Sequence, residues 1–105
     1  MAKQGQIFKT WKNRWFVLDG RSMYYYAREG APKAKGVIKM VEGTDVIIEE
    51  RYVKPFCFTV CTPTKRYILQ AADDDEMAEW VESIQNNLET CLYNETLDGG
   101  GGDDD

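Results

Sequence analysis

Up to about Ala71 the chain alternates apolar and polar positions in short runs broken by turn residues; after Asp73 the period lengthens to that of a helix. Period two predicts strands, because successive strand side chains point to opposite faces. The runs are Trp11–Leu18, Met23–Tyr26, Gly36–Met40, Asp45–Glu49, Phe56–Cys61 and Lys65–Ala71, preceded by the end of another strand at Lys3-Gln4-Gly5. Asp19-Gly20, Glu42-Gly43 and Thr62-Pro63-Thr64 are the tight connections between them. Phe56, Phe58 and Val60 alternate with smaller residues and are expected to face the core. Trp15, Tyr24, Tyr26 and Trp80 are read as packing residues too. Asp73 to Glu76 supply an N-cap and an acidic first turn, and Met77, Trp80, Val81, Ile84 and Leu88 fall on one helical stripe. The helix is expected to end around Glu89 to Tyr93, with Asn94–Asp98 frayed and Gly99–Asp105 a disordered tail. The expected fold is mainly β: a seven-stranded antiparallel sandwich or partly open barrel, its first strand truncated, capped by one C-terminal α-helix. It fills residues 1–93, leaving 94–105 as a Gly/Asp-rich tail.

One run makes two demands. Within Lys9–Leu18, Lys12, Arg14, Phe16 and Leu18 share a strand face. Phe16 and Leu18 want a core, whereas Lys12 and Arg14 cannot enter one unpaired. Both demands are met if that face lines a barrel, apolar at its closed bottom and cationic at its mouth. Such a mouth calls for an anionic ligand.

Composition sharpens this. A chain of 105 residues with 13 large aromatics supports one domain with one core. No apolar run reaches the roughly 18 residues that a spanning helix requires, and no secretory signal is visible. Histidine is absent, which removes the common nucleophile pairs and the usual zinc ligands and argues against an enzyme; no metal site and no cofactor are expected. Cys57, Cys61 and Cys91 are odd in number and lack metal spacing, so they read as reduced, small core residues. The net charge of −5 hides a split: residues 1–40 hold nine Lys/Arg against two Asp/Glu, and residues 41–105 hold four against sixteen. The molecule is expected to be an electrostatic dipole if the N-terminal part forms one end of the fold; the alternative is a generally solvated surface.

Seven strands with a Trp-bearing capping helix resemble a pleckstrin homology domain. Lys3 followed by Lys9, Lys12-Asn13-Arg14 and Trp15-Phe16-Val17-Leu18 resembles the signature of the subclass that binds 3-phosphorylated inositides, to which cytohesin and dual-adaptor domains belong. The resemblance covers residues 1 to about 90. It implies that Lys3 reaches the headgroup phosphates and that Arg14 pairs with the 3-phosphate. Lys9 and Lys12 would flank the site, Lys9 in direct contact. Tyr25 would bond a phosphate through its hydroxyl, and Lys35 would stand opposite the inositol. Ile7 and Phe8 would form a membrane-dipping loop; read from the residues alone, they equally suit a tuck into the core. Two departures stand out. The family's first strand begins several residues earlier, and the 62–64 connection lacks the insertion by which cytohesins add headgroup contacts.

The resemblance implies a cytoplasmic module recruited to the inner face of the plasma membrane by phosphatidylinositol 3,4,5-trisphosphate, the 3,4-bisphosphate or both. The alternative is a scaffold domain that binds protein partners and touches lipid weakly and without selectivity. The two readings part on whether Lys3, Lys12, Arg14 and Tyr25 converge. A nucleic-acid partner is disfavoured by the acidic total. Lys65 and Arg66 read as a solvated strand end.

Overall fold

A computed structural model of the chain describes residues 1–6 and 10–101, with side-chain surroundings described through Glu89. In order, the elements are β1 (Ala2–Gln4), β2 (Trp11–Asn13), β3 (Trp15–Asp19), β4 (Ser22–Tyr26), β5 (Ala34–Lys39), β6 (Asp45–Ile48), β7 (Cys57–Cys61), β8 (Arg66–Gln70) and α1 (Asp74–Gly101). They form a five-stranded sheet, ordered β2-β1-β8-β7-β6, and a three-stranded sheet, ordered β3-β4-β5. All described pairings are antiparallel. The mainly β architecture with one C-terminal helix is the expected one.

The expected strand over 11–18 is two strands. The chain leaves one sheet for the other at Arg14, whose amide donates to the Met1 carbonyl at 2.8 Å, while the Met1 amino group donates to the Arg14 carbonyl at 3.2 Å. A strand that changes sheets makes the corner of a sandwich. Alternation survives the corner. Phe16 is buried and Leu18 half-buried on the inner face; Trp15 is 45 % and Val17 40 % exposed on the outer face. Trp15 is therefore a surface residue, contrary to its reading as a packing one.

The core is assembled from Phe16, Met23, Ile38, Phe58, Val60 and Leu69 of the two inner faces, with Val81 and Ile84 of α1 packed onto them. Phe56 departs from its expected core position. It precedes β7 with φ at 61°, is half-buried, and its carbonyl accepts from the Ala71 amide at 2.9 Å. A positive φ on a bulky residue turns the backbone out of the strand's alternation.

α1 starts as the sequence implies. The Asp73 carboxylate accepts from the Glu76 amide at 2.8 Å, and Glu76 reaches back to the Ala72 amide at 2.6 Å. This reciprocal arrangement satisfies two donors at the helix start. The helix continues past its expected end at Glu89–Tyr93, through Asn94–Asp98 and the glycines to Gly101. The apolar stripe that set the expected end stops at Leu88, but a helix is continued by backbone bonds and needs no stripe. Residues 102–105 of the expected tail lie outside the described residues, as do Ile7, Phe8 and Lys9.

Candidate ligand pocket

β1 and β2 pair with Lys3 opposite Lys12, and β1 pairs with β8 with Lys3 opposite Leu69. That register turns Lys3 toward the interior of the sandwich. Across the corner, β3 and β4 pair Phe16 with Tyr25. The two sheets thereby bring separated residues to one place. A pocket of about 320 Å³ is lined by Lys3, Gly5, Gln6, Thr10, Lys12, Arg14 and Tyr25.

The lining is rich in donors. Among the described residues it holds three cations, a phenol, an amide and a hydroxyl, and no carboxylate. The loop that carries Gln6 is tied to β8, because the Gln6 side-chain amide donates to the Arg66 carbonyl at 3.0 Å. Gly5 donates its amide to the Thr10 carbonyl at 2.7 Å, closing the base of the same loop. Arg14 is held by a bond from its guanidinium to the Asn13 carbonyl at 3.0 Å.

Lys3 lies over two phenol rings, with its ammonium 4.9 Å from the Tyr25 centroid and 5.7 Å from that of Tyr67. Burial, then the charges of Arg14 and Lys65, push its pKa below that of an ordinary lysine. The same environment holds the Tyr25 hydroxyl above the usual phenol range. Burial is the main cause, with Tyr67 adding to it and Lys65 and Arg14 opposing. Tyr25 is therefore a neutral donor at neutral pH. A multiply charged anion in this pocket would relieve the mutual repulsion of Lys3, Arg14 and Lys65.

The family model of the PH domain matches residues 1–89. The chain belongs to the PH domain family. PH domains are non-catalytic modules and commonly bind phosphoinositides. This one is 35 % identical to the C-terminal PH domain of pleckstrin, solved in complex with D-myo-Ins(1,2,3,4,5)P5, at a TM-score of 0.69 over 82 % of this chain and 89 % of that one. A RAC family serine/threonine-protein kinase homolog of Dictyostelium discoideum is 34 % identical over 92 residues, which is 88 % of this chain and 21 % of that protein. The dual adapter for phosphotyrosine and 3-phosphotyrosine and 3-phosphoinositide of Mus musculus is 27 % identical over 84 % of this chain and 31 % of its own length. The chain thus spans about a fifth to a third of these curated relatives.

Four of the residues singled out from the sequence, Lys3, Lys12, Arg14 and Tyr25, line the pocket of this PH domain. Lys35 does not. It is the extra residue of a β-bulge, since Tyr25 pairs with Gly36 and Tyr26 with Ala34, and it is exposed. Lys9, Ile7 and Phe8 fall outside the described residues. Gln6, Thr10, Lys65 and Tyr67 belong to the pocket's surroundings without having been singled out. Lys65 is exposed, as a solvated strand end should be, yet its charge is felt by both Lys3 and Tyr25. No local pattern marks these four, because their proximity to the pocket comes from sheet register and loop closure.

Proposed function

We propose that this PH domain is a membrane-recruitment module that reads phosphatidylinositol 3,4,5-trisphosphate, the 3,4-bisphosphate or both. The observation that supports this most is the convergence of Lys3, Lys12, Arg14 and Tyr25 on one pocket whose lining, among the described residues, holds no carboxylate. Arg14 is the residue for the 3-phosphate, because a planar guanidinium binds a phosphate through two parallel bonds. Lys3 and Lys12 face the neighbouring phosphates from paired strands. Tyr25 donates its hydroxyl. The family resemblance assigns Lys9 to a further phosphate contact and Ile7 and Phe8 to the bilayer interface; Lys35, exposed on its bulge, adds positive charge to the domain surface. Lysines near an anionic leaflet contribute about 1 kcal/mol each, and the acidic remainder of the chain points the basic side inward. The setting is the cytoplasmic face of the plasma membrane.

The test is calorimetric titration with soluble inositol 1,3,4,5-tetrakisphosphate beside the 1,4,5-trisphosphate. A strong preference for the first is expected. Equal, weak binding of both would sink the 3-phosphoinositide reading and turn attention to protein partners.

A further inference from the structure

Gly36 has no side chain where one would collide with the pocket wall. It sits on β5 directly opposite Tyr25 of β4, in a row continued by Phe16 of β3. A Cβ at position 36 would lie 2.5 Å from Tyr25 Cζ, and nearer still to the hydroxyl. The phenol therefore leans across the glycine. Its other neighbours are fixed. The Phe16 ring centroid is 5.8 Å away, and Phe16 is itself held by Trp80 of α1 at 6.2 Å. The Lys3 ammonium lies over its face.

We infer that Gly36 is a positioning residue for the ligand pocket and acts through Tyr25. A methyl group at 36 leaves the phenol no room above β5. Phe16 blocks retreat toward the core, so the ring moves toward Lys3 and into the space the ligand needs. The clash falls on the far end of a side chain rather than on backbone, so the ring yields before the strand does. An aromatic ring covering a strand glycine also has a purely stabilising use, and the two roles separate by experiment. This inference rests on the headgroup reading for its binding arm and on geometry alone for its stability arm.

The experiment is a double-mutant cycle on the full 105-residue chain: wild type, Gly36→Ala, Tyr25→Ala and the double variant. Each is titrated with inositol 1,3,4,5-tetrakisphosphate and scanned for Tm. Gly36→Ala should bind about tenfold more weakly, the scale of one lost hydrogen bond and a displaced cation. In the Tyr25→Ala background the same change should alter affinity by less than about twofold, because coupled residues are not additive. Wild-type affinity in Gly36→Ala, or an equal loss in both backgrounds, would overturn the inference. If Gly36→Ala does not fold, the double variant should recover the Tm of Tyr25→Ala; a double variant that stays unfolded also overturns it. If wild type fails to bind the tetrakisphosphate, the proposed function falls, while the Tm arm still decides whether Gly36 and Tyr25 are coupled.

Discussion

The cationic pocket and the helix-covered core meet at one residue and obey opposite rules. Phe16 touches Tyr25 on the pocket side and Trp80 on the core side. On the core side, Phe58, Leu69 and Ile84 are wholly buried, and every contact lowers the energy of the folded chain. On the pocket side, Lys3 is partly desolvated among like charges, which raises it. Binding sites store such unfavourable charge because a ligand of opposite sign releases it. The core supplies the stability that lets the pocket keep its like charges together.

That contrast can be broken first from the core. Ile84→Ala should lower unfolding free energy by about 2–5 kcal/mol while leaving tetrakisphosphate affinity intact below the lowered Tm. Chemical denaturation and calorimetric titration of the same variant would check both halves. A comparable loss of affinity would mean that the two regions are not energetically separate.

Arg14→Ala is the reverse case. Removing the guanidinium should cost about 2–3 kcal/mol of binding, or roughly 30- to 150-fold in Kd. Its Tm should hold or rise, since one of the charges opposing Lys3 has gone. A marked fall in Tm would recast Arg14 as structural. Tyr25→Phe keeps the ring and removes the hydroxyl, so it should cost about 0.5–1.5 kcal/mol of binding with little change in Tm.

The smallest effect is in pH. The Lys3 pKa lies below the ordinary lysine value, so Lys3 deprotonates at lower pH than an ordinary lysine would. A tetrakisphosphate bound beside Lys3 would favour the protonated form. Affinity should therefore fall as pH rises through the lowered Lys3 pKa, and binding in that window should take up protons. Titrations in two buffers of different ionisation enthalpy would detect the uptake. For folding the sign is opposite: the unfolded chain holds the Lys3 proton to higher pH than the folded one, so stability rises with pH across the same window. Lys65→Ala should shrink both effects, because Lys65 helps to lower that pKa.

Much of this was legible in the chain itself. Period-two runs and turn residues gave the strands to within a few positions, and the stripe from Met77 to Leu88 with its acidic start gave the helix and its cap. Alternation along Lys12–Leu18 gave a cationic stretch leading into an apolar one. These are local properties, set by backbone geometry and by the need to bury one face. Tertiary structure decided what depends on pairing across distance. It bent the expected second strand at Arg14, left Trp15 on the surface, and carried Lys35 away from the pocket lining on a bulge. It also brought the charge of Lys65 to bear on Lys3 and set Gly36 beneath the phenol of Tyr25. Sheet register fixes those meetings, and register is a property of two strands together, which no single run of residues contains.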